Sequence, residues 1–210
     1  MESVDLSLFL IIVTLLGFAT LTAILANVGV LIVVYWNKSL HTQINMLLVG
    51  LAVADLGVLA SCVPFAIRTT FLHINTISVK FCLFSGFLNM FFLLASTSMT
   101  ICICISQYIA VISQTKKLMT STNCFAMVVI VWVISFCIAF GPIVKWGRYE
   151  FNDIIYECKL PRTTNVSEKL HNTAVIVYAF ILPFFTMLFT YTAIIRKFQQ
   201  HCFRGQNDAI

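Results

Sequence analysis

Apolar residues follow one another in five long stretches that are separated by short polar gaps. Residues 6–37, 81–115, 118–144 and 170–195 contain no Asp, Glu, Lys or Arg, and residues 39–67 contain only Asp55. Each stretch exceeds the roughly 20 residues that a helix needs to cross about 30 Å of hydrocarbon. None alternates with period two as barrel strands do, so the pattern predicts helices. We place the spans near residues 7–35, 44–67, 81–112, 124–144 and 173–196.

Composition supports a membrane protein. Hydrophobic residues make up 60% of the chain and charged residues 10%, whereas roughly 25% of residues are charged in soluble domains. Neither a linker rich in Pro, Gly or Ser nor an internal repeat divides the sequence. We therefore predict an all-α, polytopic transmembrane helical bundle, with residues 1–210 as a single domain and 197–210 as a short cytosolic tail.

The flanks of the first stretch indicate the orientation. Glu2 and Asp5 precede it and Lys38 follows it, which favours an N-terminus outside and, after five spans, a C-terminus in the cytosol. Lys and Arg are almost evenly divided between the two predicted faces of the membrane, so their count does not decide the orientation. The sequon Asn165-Val166-Ser167 favours an outer position for the gap 145–172 and makes Asn165 a candidate glycosylation site. About 30 apolar residues exceed a secretory signal core, so we expect the first stretch to remain in the mature chain.

Asp55 is the main candidate for function, because it lies in the middle of a predicted span. Burying a carboxylate there costs about 2.5 to 3.5 kcal/mol, so such a group is usually partnered inside the bundle. Asn27 in the first span and Ser96 in the third could supply hydrogen bonds without adding charge. Two interpretations remain open: an ion-binding or switch site, and a structural polar contact between helices.

Two of the eight cysteines lie where both water and an oxidising compartment can reach them. Cys82 begins the third span, and Cys158 lies in the gap 145–172. We predict that they form a disulfide, which would fix the long gap to the top of the third helix. Connectivity is not proved by sequence, although few alternatives exist on the outer side.

Proline positions bear on the shape of the bundle. Pro64, Pro142 and Pro183 lie within or at the ends of spans two, four and five, where each removes a backbone donor and can kink its helix. Together they suggest a cavity that opens outward, although Pro142 is equally well explained as a helix terminator. The sequence carries no recognisable enzyme motif, metal motif or basic stripe with exposed aromatic residues. We therefore expect neither an enzyme nor a metal-binding protein, and no nucleic-acid partner.

Several motifs occur in register over nearly the whole chain. They are Asn27-Val28-Gly29, Leu51-Ala52-Val53-Ala54-Asp55-Leu56, Cys82, Ser106-Gln107-Tyr108-Ile109-Ala110-Val111, Trp132, Cys158, and Pro183 with Tyr191. In this arrangement the chain resembles the rhodopsin-like (class A) G-protein-coupled receptors. The resemblance implies the first five helices of a seven-helix receptor fold in the plasma membrane. It also implies that the protein senses an extracellular ligand and signals to heterotrimeric G proteins.

The resemblance also implies roles for individual residues. Asp55, Ser96 and Asn27 would belong to a polar switch that can hold a sodium ion, which is the one cofactor expected. Tyr191 would stabilise the active state from the cytosolic end. The ligand cavity would include Asn89, Phe92 and Pro183. Amine receptors carry an aspartate where this chain has Asn89, so a charged amine is a poor candidate ligand.

Two departures from the family pattern bear on signalling. The family's Asp-Arg-Tyr, whose arginine meets the G protein, is here Ser106-Gln107-Tyr108, and Gln does not imitate a guanidinium. The sequence also ends at Ile210, before a sixth and seventh span. Both departures weaken the expectation that this five-span form signals.

Two alternatives to a signalling receptor follow from the sequence. One is a non-signalling membrane partner that associates with full-length receptors in a hetero-oligomer. The other, half of a transporter or channel, rests on Asp55 alone and lacks the interrupted helices and inverted repeat of transporters. In every case the lipid bilayer is the surrounding partner.

Overall fold

A computed structural model describes residues 3–72, 78–113, 119–152 and 157–207 of the chain. These residues form long helices and one short hairpin. The helices are α1 (Ser3–Trp36), α2 (Gln43–Leu72), α3 (Val79–Tyr108), α4 (Ser121–Phe140), α5 (Val166–Ile176) and α6 (Leu182–Asn207). The strands are β1 (Glu150–Asn152) and β2 (Glu157–Lys159). The predicted all-α membrane bundle is confirmed, and the hairpin is an addition to it.

Five helical stretches in the described part of the chain are long and apolar enough to cross a membrane. They are Ser7–Trp36, Gln43–Pro64, Lys80–Ile112, Ser121–Val144 and Val166–Gln200. The last begins earlier than the predicted start at 173, because α5 includes the polar residues after Asn165. It also runs past the predicted end at 196, so the start of the predicted cytosolic tail is helical as far as Asn207.

The third helix is the centre of the bundle, since α3 packs against α2, α4 and α6. On its C-terminal half, Met99 and Ile103 are buried with Leu47 of α2 and Val131 of α4. Further out, buried contacts join α3, α4 and the fifth span through Leu94, Ala139, Val175 and Ala179. A side chain on α3 can therefore reach three neighbouring helices, and most candidate residues lie on it or face it.

The fifth span changes its hydrogen-bond pattern before Pro183 without ending. Residues Val177–Ile181 form a π-helical segment between α5 and α6, and the backbone N–H of Leu182 donates to the carbonyl of Val177. Proline lacks a backbone N–H and its ring crowds the carbonyl four residues earlier. A wide π turn just before Pro183 rearranges the bonds there, so the helix continues. The buried Pro183 thus distorts the helix locally, within one continuous span.

Two helix ends have carbonyls that are satisfied by side chains from beyond the helix. The end of α1 receives a bond from His41 Nε2 to the Val34 carbonyl (3.0 Å). The end of α4 receives one from His171 Nε2 to the Ile138 carbonyl (2.9 Å). The last four carbonyls of a helix have no donor within it, and membrane helices must still satisfy them. These polar side chains therefore fix where the connecting segments cross the helix ends.

The outer hairpin pairs antiparallel, with Glu150 opposite Lys159, Phe151 opposite Cys158, and Asn152 opposite Glu157. Each strand has three residues. Strands this short leave no period-two pattern that could be detected in the sequence. The hairpin packs on α3 and covers its outer end.

Close packing between α2 and α3 predicts the effect of one substitution. A Cβ atom at Gly57 would lie 2.5 Å from Cε1 of the Phe92 ring, well inside the roughly 3.5 to 4.0 Å of a favourable carbon contact. Gly57→Ala should therefore destabilise the protein by about 1 to 3 kcal/mol. The measurement is the thermal unfolding midpoint in detergent.

Gly17→Ala is the matched control, because nothing lies within 4 Å of a Cβ atom there. We expect this change to be neutral or slightly stabilising, since Ala favours a helix over Gly. Equal midpoints for the two variants would contradict the close contact between Gly57 and Phe92.

Candidate functional site

A disulfide fixes the outer end of the bundle. Cys82 in the first turn of α3 is bonded to Cys158 in β2, with their Cα atoms 5.4 Å apart. Both cysteines are buried, and Phe151 of the opposite strand packs against them. The predicted pairing is therefore present, and it holds the hairpin directly on the top of α3.

Tyr149 anchors the segment before the hairpin. Its hydroxyl donates to the Ala139 carbonyl near the end of α4 (2.8 Å), and its ring lies beside Gly86 of α3. Burial raises the pKa of the Tyr149 phenol above its ordinary value. The phenol therefore remains protonated, and available as a donor, well above physiological pH.

Charges on the outer surface are partly paired. Arg148 lies 3.3 Å from a carboxylate oxygen of Glu150 and 3.6 Å from one of Glu168 at the start of α5. The Arg148 and Glu150 side chains are about half exposed, so water screens this contact and its contribution to stability is small. The contact with Glu168 joins the segment before the hairpin to the fifth span.

Asp55 has the polar partner predicted on α3. The Ser96 hydroxyl donates to Oδ1 of Asp55 at 2.5 Å, and both residues are partly buried between α2 and α3. The predicted contact from Asn27 is not formed. The Asn27 amide instead donates to the Ala23 carbonyl one turn earlier in α1 (3.0 Å), a local bond that short polar side chains often make within a helix.

Residues predicted to line a ligand cavity have packing partners in the described structure. The Cys62 thiol donates to Oδ1 of Asn89 at 3.1 Å. Phe92 lies against Gly57 and meets the Trp132 ring edge-on, with centroids 6.1 Å apart. Asn89 and Phe92 thus belong to contacts of α3 with α2 and α4, while Pro183 is buried in the fifth span. Their role in ligand binding stays a prediction.

Polar and aromatic contacts join α3 to the fifth span from the middle of α3 to its C-terminal end. Near the middle, the Ser98 hydroxyl is 2.8 Å from the Tyr178 hydroxyl. Nearer the C-terminal end of α3, the side chains of Tyr191 and Cys104 lie close together. These two contacts, together with the packing of Tyr108 on Phe189, form what we call the α3–α6 seam.

The Ser106-Gln107-Tyr108 sequence at the end of α3 is only partly exposed. Ser106 is fully buried, and its hydroxyl donates to the Cys102 carbonyl (2.7 Å). Ser106 therefore points into the bundle, and the G-protein-facing role expected for it stays a prediction. Gln107 and Tyr108 are partly exposed, and the Tyr108 ring lies 5.6 Å from that of Phe189 across the seam.

Sequence reasoning missed two buried polar contacts. Ser98 and Tyr178 were indistinguishable from ordinary residues in apolar spans. His171 is fully buried and packs edge-on against Trp146, with ring centroids 5.0 Å apart. A histidine in an otherwise uncharged stretch was a signal, since a buried polar group needs a partner. That partner, the end of α4, could not be identified without the fold.

The candidate glycosylation site is exposed. Asn165 caps the start of α5, where its Oδ1 accepts a hydrogen bond from the Ser167 backbone N–H (3.0 Å). Its side chain lies on the surface at the outer end of the fifth span. The sequon is therefore accessible, and its modification stays a prediction.

Comparisons with known proteins point to one family. The model of the seven-transmembrane receptors of the rhodopsin family matches residues 26–209. The chain is 28% identical over 207 residues to the high-affinity lysophosphatidic acid receptor of Xenopus laevis, covering 99% of this chain and 55% of that receptor. It is 30% identical over 183 residues to melatonin receptor type 1A of Ovis aries, covering 86% and 49%.

The fold is also similar to that of a solved structure. Squid rhodopsin superposes with a TM-score of 0.80 at 23% identity, covering 92% of this chain and 56% of that one. The five helices thus follow the start of a seven-helix bundle. The chain spans about half the length of the lysophosphatidic acid and melatonin receptors that it matches.

Removing the outer disulfide should lower stability by a predictable amount. The bond joins residues 76 positions apart, and closing a loop of that length in the unfolded chain contributes about 4 kcal/mol. Cys82→Ser and Cys158→Ser should each lower the thermal unfolding midpoint in detergent, and the double variant should fall no further than either single one.

Cys137→Ser is the control, because Cys137 is a free and exposed cysteine. We expect it to unfold at the wild-type temperature. A Cys82→Ser protein with the wild-type midpoint would show that the hairpin does not depend on the bond.

Proposed function

The chain belongs to the rhodopsin family of seven-transmembrane receptors, and from that membership we propose that it senses an extracellular ligand and signals to a heterotrimeric G protein. Members of this family are receptors rather than enzymes. The chain is a multi-pass membrane protein, and we place it in the plasma membrane with the N-terminus outside and the C-terminus in the cytosol. A glycan on Asn165 would be consistent with this orientation.

The observation that carries the proposal is the α3–α6 seam. It begins near the middle of α3 with Ser98 and Tyr178 and continues to Tyr108 and Phe189 near the cytosolic end. The disulfide at Cys82 attaches the outer hairpin to the same helix. A change at the hairpin can therefore act on α3, and packed helices move as rigid elements rather than deform.

The ligand should lack a charged amine, because Asn89 is neutral. Its amide oxygen already accepts a hydrogen bond from the Cys62 thiol, and a thiol is too weak a donor to hold it against a better partner. Asn89 could thus exchange that bond for one to a ligand. Phe92 and Pro183 would add apolar contacts.

We also propose that Asp55 and Ser96 hold a sodium ion. Their oxygen atoms meet directly between α2 and α3, and carboxylate, hydroxyl and carbonyl oxygens suit a hard cation. Asn27 could add an amide oxygen from α1, because only its amide nitrogen bonds to the Ala23 carbonyl. Bound there, the ion would stabilise the arrangement in which the two helices share this contact.

A second candidate function is a non-signalling partner of full-length receptors. Two observations support it: Gln107 stands in the place of the family's arginine, and apolar side chains on α1 and α6 are widely exposed. Leu16, Phe18, Phe184 and Phe189 are among them, each more than 60% exposed. Lipid or the helices of another receptor could cover these surfaces. Co-expression should then change the partner's surface level.

The sodium proposal predicts a specific stabilisation by salt. At ten times its dissociation constant a ligand adds about 1.4 kcal/mol to stability, so NaCl should raise the thermal midpoint by a few degrees over N-methylglucamine chloride at equal ionic strength. Asp55→Asn should abolish the difference and Ser96→Ala should reduce it.

Ser61→Ala serves as the control, because the Ser61 hydroxyl bonds to the Val58 carbonyl of its own helix. It should retain the full sodium response. An equal sodium response in wild type and Asp55→Asn would disprove the site.

The signalling proposal predicts a gain of activity for Gln107→Arg. Arginine restores a planar cation with five donors at the cytosolic end of α3, and a charged hydrogen bond contributes about 1.5 to 3 kcal/mol. Ligand-independent nucleotide exchange on G proteins in nanodiscs should therefore rise by about tenfold or more.

Gln199→Arg is the matched control, since Gln199 is exposed on α6 and the variant adds the same charge away from α3. It should leave exchange unchanged. Equal exchange by wild type, Gln107→Arg and Gln199→Arg would contradict the signalling proposal and favour the partner function.

A further inference from the structure

In the described part of the chain, the C-terminal end of α3 has no basic side chain of its own. After Tyr108 the helix continues as a π-helical turn, Ile109–Ser113, and neither α3 nor this turn has a basic residue in its last turn. Carbonyl groups at a helix end have no donor within the helix. They also form the negative end of the helix dipole, which favours a nearby positive charge.

Lys197 of α6 supplies that charge from a different helix. Its ammonium group donates to the carbonyl of Val111 and, at 3.1 Å, to the carbonyl of Ile112. Lysine side chains commonly cap the end of the helix that carries them. Here the capped carbonyls lie 86 and 85 positions earlier in the sequence, so the bond connects two transmembrane helices.

The neighbouring cation makes no such contact. Arg196 is exposed, and its side chain has no hydrogen bond or ion pair with any part of the chain that the structure describes. Lys197 is partly buried, which places its apolar stem against the bundle while the ammonium group reaches the carbonyls. In the described structure, Lys197 therefore bonds to another helix and its neighbour Arg196 does not.

The lysine contact extends the α3–α6 seam to the cytosolic surface. Above it, Tyr108 meets Phe189 through side chains alone. Lys197 differs because it is bonded to backbone atoms, and an ionised donor makes a stronger bond than a neutral one. Its bonds to Val111 and Ile112 can form only while the two helix ends stay close.

We propose that Lys197 is a positioning residue that ties the cytosolic ends of α3 and α6 together and opposes their separation. The tie itself stands on the two bonds and the capping they provide. Its effect on signalling rests on the proposed receptor function: breaking the tie frees the two helix ends to move apart, and ligand-independent activation rises.

The test measures the separation of the helix ends directly. Spin labels are attached at Ala110→Cys and Gln199→Cys, both exposed positions, in a protein with Cys137 and Cys202 replaced by serine. Lys197→Met keeps an apolar stem of similar length but removes the charge. We expect the interspin distance to broaden and to increase by about 2 Å or more, the scale of helix shifts in switching proteins.

Two matched variants separate positioning from general damage. Lys197→Arg retains the positive charge and donors, so it should restore the wild-type distance. Arg196→Met removes the adjacent charge and should leave the distance unchanged. A wild-type distance in a folded Lys197→Met protein would overturn the tie, as would equal widening in Arg196→Met. If Lys197→Met does not fold, Lys197→Gln replaces it under the same criteria.

A second measurement separates the tie from signalling. In the Gln107→Arg background, Lys197→Met should raise ligand-independent nucleotide exchange several-fold, and Lys197→Arg should return it to the starting level. A widened distance with unchanged exchange would keep the tie and overturn the effect on receptor activity. An unchanged distance would overturn the tie whatever the exchange rate.

Discussion

Every backbone N–H and C=O group inside a bilayer needs a partner within the protein, and this requirement shapes each irregular feature of the bundle. The π-helical segment before Pro183 keeps the fifth span continuous where the proline removes a donor. At helix ends, where carbonyls have no partner of their own, polar side chains from other segments supply the bond. His41, His171 and Tyr149 do this for α1 and α4, and Lys197 for the π turn that follows α3.

These bonds connect segments far apart in the sequence, so the same atoms that satisfy a helix end also fix the arrangement of the bundle. Tyr149 and His171 hold the outer loop and the fifth span against the end of α4. The disulfide at Cys82 does the same for the hairpin and α3. The outer surface is therefore bound at several points, whereas the cytosolic ends of α3 and α6 are joined by weaker side-chain contacts and by Lys197.

Family membership and local chemistry lead to different expectations for signalling. Asp55 and Ser96 form the interhelical polar contact that the receptor family implies. At the cytosolic end the family's charged residues are replaced by Ser106, which is buried, and by neutral Gln107. In the described part of the chain, Lys197 brings a positive charge to the end of α3 and bonds to backbone carbonyls there.

The sequence alone determined the number of spans, the membrane class, the family and the outer disulfide, because these depend on the length of apolar runs, on rare charges and on cysteines at accessible depth. The tertiary structure decided which partners the polar residues have. In that structure Asp55 contacts Ser96 rather than Asn27, and the Ser106 side chain points into the bundle. Lys197 bonds to the Val111 carbonyl. Helices that are apolar on all sides carry no pattern that marks one face as inner. Their rotation about the axis, and with it every contact between helices, is settled only when the whole bundle packs.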